Sequence, residues 1–282
     1  MKIHSLTHED VLRLLPNRPA DSHKGNYGKI LLLCGSKGYT GAAALAAMGA
    51  LRSGAGLVYL GVPEIIYAIE AVKLTEPVII PLPDENGTYA IDAMSPVLSM
   101  LQGKDAVLIG PGIGQSAGAE QVLCTVLENF PGTVIVDADG ITLLSKHKDI
   151  LRGRTGSTIL TPHEGEFARI GGKIADDRVA AAAELAKDLH TIVLLKGSRT
   201  VITDGTQHYL NLTGNPGMAT GGSGDVLAGI ITALVGQKLP PLEAAACGAW
   251  LHGAAGDLCA EEIGQYGMLP SDMLNVLPRL SK

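Results

Sequence analysis

The segment "KILLLCGSKGYTGAAALAAMGALRSGAGLVYLGV" (residues 29–62) decides the fold, because strand, helix and strand follow one another in it without interruption. Its two ends, 29–34 and 57–62, are short apolar runs of the kind that fill a sheet covered on both faces. The alanine-rich middle is typical of a helix, which we place at 41–53. The segment therefore predicts a βαβ unit with a parallel strand pair.

The same alternation extends along most of the chain. Further apolar runs predict strands at 77–82, 105–110, 133–138, 157–162 and 191–197. The segments between them predict helices at 64–72, 117–129, 164–170 and 176–189. Repeated βαβ units predict an α/β fold, a three-layer α/β/α sandwich around a mostly parallel central sheet.

The pattern changes near the end of the last predicted strand. The segment "LLKGSRTVITDGTQHYLN" (194–211) predicts an appended antiparallel hairpin with turns at Ser198–Arg199 and Asp204–Gly205. From residue 225 onward the chain is mainly helical, and its apolar stretch at 242–260 is either an oligomer interface or ordinary core. Because no Pro/Ser-rich linker divides the chain, we predict a single domain over residues 1–282.

Composition excludes several classes of function. The net charge is −6 and no run of Lys or Arg exceeds a pair, which argues against binding to nucleic acid or an anionic membrane. The longest apolar runs fall short of the ~18 residues that span a bilayer, and the amino terminus has no signal-peptide core. The 4 cysteines are scattered without a CxxC pair, which indicates a reducing compartment, so we expect a cytoplasmic protein.

The segment "NPGMATGGSGDVLAGIITALVGQ" (215–237) places a glycine-rich turn directly before an apolar helix. The amides of such a turn converge on one point, and the helix start adds partial positive charge, so the pair predicts an anion hole. The alternative is a plain helix start in which Asp225 only complements the helix dipole. We assign the helix to 225–235 and the turn to Gly221, Gly222, Ser223 and Gly224.

Asp225 favours a catalytic anion hole over a plain helix start. A carboxylate repels a phosphate at this point, and a general base that activates an attacking hydroxyl is the role that accounts for its presence. No glycine loop in the chain ends in a Lys-Ser/Thr pair, so the protein is not a P-loop enzyme. The turn and Asp225 together predict a site for phosphoryl transfer.

Two further loops follow predicted strands, at the sheet edge where ligands of open α/β folds bind. The loop "IGPGIG" (109–114) has G-x-G-x-G spacing, which is a weak dinucleotide signal but lets a ligand approach the backbone closely. The segment "GSKGYTGAAA" (35–44) puts small side chains at a helix start, either to admit a large ligand or to pack the helix tightly on the sheet.

Acidic residues open two more segments that follow strands. In "TPHEGEF" (161–167), the first glutamate complements the helix dipole, whereas Glu166 is a candidate to hold a hydrated Mg²⁺ beside phosphates. In "VDADGI" (136–141), Asp137 or Asp139 either caps the next helix or binds a metal.

Taken together, these segments resemble the ADP/ATP-dependent NAD(P)H-hydrate dehydratases, members of the ribokinase-like superfamily. Each motif alone is weak, but their occurrence in this order is specific. The resemblance covers residues 22–280 and rests on "HKGNYGKILLLCGSKGYTGAAALAA", "GPGIG", "VDADGI", "LTPHEGEF", "LLKGSRTVI" and "NPGMATGGSGDVLAGIITALVGQ". It implies a lyase that repairs the S epimers of hydrated NADH and NADPH (NADHX and NADPHX) at the expense of ADP or ATP, with Mg²⁺.

The resemblance also implies a role for individual residues. Catalysis is assigned to Asp225, Gly222, Ser223 and Gly224. Binding of the hydrated dinucleotide is assigned to Ala42, Ala43, Gly114, His163 and Asp225. Binding of ADP or ATP is assigned to Lys196, Gly197, Ser198, Arg199, Thr200 and Gly224, and Glu166 stays the candidate metal ligand. The resemblance further implies a homo-oligomer, a tetramer or dimer, and, because few residues precede the first motif, no fused epimerase activity.

In the implied mechanism, Asp225 deprotonates the C6 hydroxyl, which attacks the terminal phosphoryl group held in the anion hole. The resulting phosphate ester then leaves. Two alternatives stay open. A small-molecule alcohol kinase of the same superfamily, such as a hydroxyethylthiazole kinase, shares the anion hole and the base. A nucleotide-sensing protein without turnover is expected to lack the base, which is present here.

Overall fold

The computed structural model describes residues 2–174 and 176–281; residues 1, 175 and 282, which the single-domain prediction includes, lie outside the described residues. The strands are β1 Ile3–His4, β2 Lys29–Leu33, β3 Leu57–Pro63, β4 Val78–Leu82, β5 Asp84–Glu85, β6 Thr88–Tyr89, β7 Ala106–Ile109, β8 Thr133–Val136, β9 Thr158–Leu160, β10 Ile192–Leu195, β11 Val201–Thr203 and β12 His208–Leu210. The α-helices are α1 His8–Leu14, α2 Thr40–Arg52, α3 Glu64–Lys73, α4 Met94–Leu101, α5 Ala117–Asn129, α6 Asp139–Leu144, α7 Asp149–Gly153, α8 Glu164–Arg169, α9 Arg178–Leu189, α10 Ser223–Gly236, α11 Pro241–Glu262 and α12 Pro270–Val276. Short 3₁₀ helices lie at Lys24–Tyr27, Ile91–Ala93, Pro216–Met218 and Leu277–Ser281.

Ten of the strands form one sheet in the order β1-β12-β11-β10-β9-β8-β7-β2-β3-β4. Within it, β11 runs antiparallel to both neighbours, and the remaining pairs are parallel. The mostly parallel sheet and the antiparallel hairpin after β10 are therefore confirmed. Two pairings had no signal in the sequence: β1 adds to the sheet beside β12, and β5 pairs with β6 in a separate hairpin.

Both faces of the sheet are covered, which explains why its strands are apolar without alternation. In β2, Ile30 and Leu32 face a core that contains residues of α2, α10 and α11. Leu31 and Leu33 face a second core that contains residues of α4, α5 and α9. The predicted three layers follow from these two cores.

Helix α11 settles the two interpretations of the stretch at 242–260. Leu242, Cys247, Leu251 and Cys259 are among its many residues buried by the chain itself. The ordinary-core interpretation therefore holds for these residues. Within residues 2–174 and 176–281, none of the helices combines the length and apolarity of a bilayer span.

Helices α2 and α10 approach each other closely because glycines line their contact. A β-carbon built on Gly229 would lie 2.1 Å from the carbonyl oxygen of Ala46, and one built on Gly49 would lie 2.7 Å from that of Val226. Neither distance leaves room for a methyl group. Glycine is therefore what allows the two backbones to touch.

Replacing Gly229 by alanine is expected to lower the free energy of unfolding by about 1–3 kcal/mol, because the methyl group must push α10 away from α2. The matched control is Gly153→Ala, since a β-carbon at Gly153 meets nothing within 4 Å. The control should be neutral or stabilising by at most about 1 kcal/mol. Urea unfolding curves measure both variants, and a Gly229→Ala midpoint equal to that of the wild type would contradict the expected clash.

Candidate active site

The loops after the parallel strands meet at the carboxyl edge of the sheet, where α10 also begins. The amide of Gly35, after β2, donates to the carbonyl oxygen of Pro111, after β7, at 2.8 Å. A β-carbon on Gly110 would lie 1.9 Å from the carbonyl oxygen of Asp137, after β8. These contacts bring the predicted ligand-binding loops together at one edge.

The glycine-rich turn leads directly into α10, which begins at Ser223, two residues earlier than predicted. Ser223 and Gly224 therefore belong to the first helical turn. Gly222 precedes the helix with a φ of 96°, and a β-carbon there would lie 2.4 Å from Leu45 Cδ1, so only glycine fits.

The start of α10 is open to a ligand. No side chain caps it, and the amide of Ser223 donates to the carbonyl oxygen of Thr220 at 3.3 Å. Among the described residues, the amides of Gly224 and Asp225 have no hydrogen-bond acceptor. Free amides at the start of a helix attract an anion, so this geometry can bind a phosphate group.

Lys196 lies beside this turn and bridges two buried carboxylates. Its Nζ is 2.8 Å from Asp137 Oδ1 and 3.6 Å from Glu166 Oε2. A β-carbon built on Gly224 would lie 3.4 Å from Lys196 Nζ, which places the ammonium group next to the free amides. Burial lowers the pKa of Lys196, but the two carboxylates outweigh burial and hold the pKa above its usual value.

Asp225 has the protonation behaviour of a general base. Burial raises its pKa to about 7, repulsion by Asp137 adds to the rise, and the Lys196 ammonium opposes it. A carboxylate with this pKa can accept a proton near neutral pH more readily than an exposed aspartate. Asp225, the free amides and Lys196 thus lie together, and this arrangement can bind an anion beside a carboxylate that can accept a proton.

The predicted nucleotide-binding residues 197–200 form the turn between β10 and β11, directly after Lys196. Gly197, Ser198 and Arg199 are exposed and Thr200 is half-buried. Arg199 has a φ of 60°, in the left-handed region. The structure therefore places this segment at the same edge as the open helix start, with its side chains accessible.

The predicted dinucleotide-binding residues are distributed around the same edge. Ala42 is half-buried, but Ala43 has no exposed surface, so the side chain of Ala43 packs in the core. The amide of Gly114 donates to Asp139 Oδ2 at 3.1 Å. His163 caps α8, with its Nδ1 accepting from the amide of Gly165 at 2.9 Å and its ring exposed.

The carboxylates after β8 do not cap the helix that follows, contrary to one of the predicted roles. Helix α6 starts after Ala138, and no side chain caps it. Asp137 instead pairs with Lys196 and accepts a hydrogen bond from Thr161 Oγ1 at 2.7 Å. Asp139 accepts from the amide of Gly114. Sequence reasoning missed Thr161, although it lies in the predicted strand 157–162 and opens the segment "TPHEGEF", and missed the pairing of Asp137 with Lys196.

Among the residues that the structure describes, side chains alone do not form a metal cage. Across residues 2–174 and 176–281, no three His, Cys, Asp or Glu side chains are grouped as metal ligands. Glu166 Oε2 accepts from the amide of His163 at 2.9 Å, and the Lys196 ammonium already lies between Glu166 and Asp137. This donor set suits Mg²⁺ that arrives with nucleotide phosphates and keeps most of its waters.

The chain is similar to a known protein family and to longer proteins that contain a region like it. Residues 30–279 match the NAD(P)H-hydrate dehydratase family. The bifunctional NAD(P)H-hydrate repair enzyme of Moorella thermoacetica is 46% identical over 271 residues, which are 94% of this chain and 51% of that protein. The chain thus spans about half the length of the repair enzymes that it matches.

Two solved structures place the fold. The ADP/ATP-dependent NAD(P)H-hydrate dehydratase of Bacillus subtilis, co-crystallised with ATP and Mg²⁺, is similar with a TM-score of 0.86 and 34% identity, covering 99% of this chain and 98% of that one. A hydroxyethylthiazole kinase of Pyrococcus horikoshii has a TM-score of 0.65 at 16% identity, covering 98% and 94%, and shares the fold alone. The predicted ribokinase-like fold is confirmed, and the chain belongs to the NAD(P)H-hydrate dehydratase family.

Proposed function

We propose that this protein dehydrates the S epimers of hydrated NADH and NADPH in a reaction driven by ADP or ATP. Family membership and the named activity of the Bacillus subtilis neighbour support this proposal. The observation that carries it is Asp225, whose pKa of about 7 suits a base at the edge of an open anion site. An alcohol kinase is less well supported, because the hydroxyethylthiazole kinase shares 16% identity with this chain.

The proposed reaction uses these groups as follows. Asp225 accepts the proton of the C6 hydroxyl, whose oxygen attacks the terminal phosphorus of the nucleotide. The bond from phosphorus to the bridging oxygen breaks and releases AMP from ADP, or ADP from ATP. The C6–O bond of the new ester then breaks as the ring nitrogen supplies its electron pair, which releases inorganic phosphate and leaves an iminium ion. Loss of a proton from C5 to water then yields NAD(P)H.

The chain's contribution to this reaction is positioning and charge neutralisation. We propose that negative charge on the transferred phosphoryl group is stabilised by the amides of Gly224 and Asp225 and by the ammonium of Lys196. Mg²⁺ is proposed to enter with the nucleotide, and Glu166 stays a candidate ligand through bound water. When bound, the ion would neutralise further phosphate charge.

The remaining contacts are proposed by position. We propose that the hydrated dinucleotide contacts Ala42, Gly114 and His163. The side chain of Ala43 is buried, so only the backbone of Ala43 is proposed to contact this substrate. Lys196 and the turn at 197–200 are proposed to contact the nucleotide. The exposed positions of Gly197, Ser198 and Arg199 and the partly exposed positions of Ala42 and Gly114 support these assignments, since they leave these segments accessible.

The proposed activity is tested by incubating the protein with hydrated NADH or NADPH plus ADP or ATP and Mg²⁺. Return of reduced-nicotinamide absorbance, with one phosphate released per dinucleotide, would support the dehydratase. Flat absorbance together with phosphorylation of a thiazole alcohol would support the kinase. Nucleotide binding with neither reaction would support a sensing protein.

Turnover is expected to depend on pH through Asp225. The carboxylate is the active form, so kcat/KM should fall below a pKa of about 7 and level off above it. Initial rates measured across a pH series at constant ionic strength would report this titration. A profile that is flat between about pH 5 and 9 would argue against Asp225 as the base.

We further infer that residues 1–282 form one cytoplasmic domain that assembles as a homotetramer. The sheet supports a single domain, because it joins β1 to strands from the middle and later parts of the chain. The four cysteines are unbonded, in keeping with a reducing compartment. Ile65, Ile69 and Val72 expose an apolar face on α3 that assembly could cover, and sedimentation equilibrium would measure the assembly state.

A further inference from the structure

A buried histidine on α11 contacts the first turn of α10. His252 Nε2 lies 3.2 Å from Ser223 Oγ, and both side chains are buried. Neither the glycine-rich turn nor the resemblance assigns a function to His252. Its hydrogen-bond partner, Ser223, is the first residue of α10, the helix whose first amides are free.

A serine near a helix start can turn its hydroxyl back onto the local backbone. Gly222 is the N-cap and Ser223 the first helical residue, and a serine hydroxyl there can accept a hydrogen bond from a neighbouring amide such as that of Asp225 or Val226. The amide of Val226 already donates to the carbonyl oxygen of Gly222 at 3.2 Å, whereas the amide of Asp225 has no acceptor among the described residues. The hydroxyl of Ser223 points instead towards His252.

Burial keeps the imidazole of His252 neutral. Burial lowers its pKa to about 4; the backbone of Ser223 opposes this shift, and the charge of Lys196 adds to it. A neutral ring has one nitrogen that accepts a hydrogen bond, and the hydroxyl of Ser223 can donate to Nε2 when that nitrogen is the unprotonated one. The hydroxyl of Ser223 and Nε2 of His252 then satisfy each other's hydrogen bonds, and neither uses a backbone amide.

Helix α11 also holds the loop that precedes the anion turn. Asp257 Oδ2 accepts from the amide of Gly214 at 2.8 Å, and Asp257 Oδ1 accepts from Asn215 Nδ2 at 3.0 Å. A β-carbon on Gly253 would lie 2.2 Å from Thr213 Oγ1, so the loop packs directly on the helix backbone. His252 therefore projects from a helix that is fixed relative to the turn.

We propose that His252 is a positioning residue that draws the Ser223 hydroxyl away from the amide of Asp225 and so keeps that amide free for the nucleotide's terminal phosphate. This inference rests on the proposed function, because it needs a phosphate at the start of α10. It predicts that His252 affects the binding of phosphate groups and not that of the nucleoside.

The test compares the dissociation constants of ADP and adenosine, measured by calorimetry and by displacement. In His252→Leu the freed hydroxyl should occupy the amide and weaken ADP binding by about three- to tenfold, with adenosine binding unchanged. His252→Gln, which can still reach Ser223, should bind ADP like the wild type. If His252→Leu does not fold, His252→Met replaces it.

The double variant Ser223→Ala/His252→Leu separates positioning from a merely structural role. Without the hydroxyl nothing competes for the amide, so the double variant should recover the ADP affinity that His252→Leu loses. If the double variant binds ADP as weakly as His252→Leu, the histidine acts through packing and the inference is overturned. An unchanged ratio of the ADP and adenosine constants in His252→Leu would also overturn it.

A second buried histidine supplies the matched control. His208 Nδ1 lies 2.8 Å from Thr203 Oγ1 in the β11–β12 hairpin, so it is also a buried histidine paired with a hydroxyl. His208→Leu should lower the melting temperature as His252→Leu does, with no change in the ratio of the ADP and adenosine constants. Wild-type protein that binds neither ADP nor ATP would instead contradict the proposed function itself, which distinguishes the two failures.

Discussion

In the Asp225→Asn variant, dehydration of hydrated NADH is expected to fall by about 10²–10⁴-fold, the contribution typical of a positioned general base. ADP binding should be retained or become tighter, because the substitution removes a carboxylate that repels phosphate. Single-turnover rates and ADP dissociation constants measure the two effects separately. An Asn variant with wild-type turnover would remove Asp225 from the mechanism.

The same substitution is expected to stabilise the fold at neutral to alkaline pH. Because the folded pKa of about 7 lies above the usual value of 3.8, the folded protein disfavours the carboxylate, and the free energy of unfolding falls as pH rises between these values. Asparagine carries no such charge, so the variant's melting temperature should exceed that of the wild type at pH values above about 7. Melting curves below the usual aspartate pKa should coincide.

Lys196→Met is expected to produce the second-largest effect. The substitution removes the Lys196 ammonium group, whose Nζ lies 2.8 Å from Asp137 Oδ1 and 3.6 Å from Glu166 Oε2 in the wild type. Both carboxylates then lose the positive charge that bridges them. Removing one partner of a buried ion pair costs about 3–5 kcal/mol of stability. The loss of positive charge beside the phosphate should also lower kcat/KM by about 10²-fold.

Two further variants show whether these effects have separate causes. Lys196→Met/Asp137→Asn removes one of the unpaired charges, so it should recover part of the stability while the activity stays low. Lys238→Met removes a lysine that pairs with Asp105 but is 68% exposed, and it should cost at most about 1 kcal/mol. If Lys196→Met is as active as Lys238→Met, Lys196 has no role at the phosphate site.

The layers of the fold could be predicted from sequence because their signals are local. Apolar runs such as β2 and β7 are recognisable from a few residues, and the helices between them start and end near the predicted positions. Helix α4 was missed because Pro96 lies inside it; the residue falls in the first turn, where its missing amide hydrogen breaks no helical bond. Strand β1 was missed because its two residues gain their pairing only from β12, far along the chain.

The candidate site was predictable to a similar degree. The glycine turn and Asp225 are adjacent in sequence, so their joint chemistry can be inferred from the order of residues alone. The pairing of Lys196 with Asp137 joins residues 59 positions apart, and that of Ser223 with His252 joins residues 29 apart, so neither leaves a local pattern. Ala43 was predicted to contact the dinucleotide, but its side chain is buried in the core. The sequence alone does not show which alanine at a helix start faces the sheet.

The glycine contact between α2 and α10 bears on how the two substrates meet. The predicted dinucleotide loop lies at the start of α2 and the glycine-rich turn at the start of α10, so the backbone contact at Gly49 and Gly229 joins the helices that carry the two proposed sites. In the proposed reaction, this contact would fix the spacing between the proposed acceptor and donor sites before either substrate binds, which would raise the effective molarity of the pair. Any closure that expels solvent must then come from the surrounding loops.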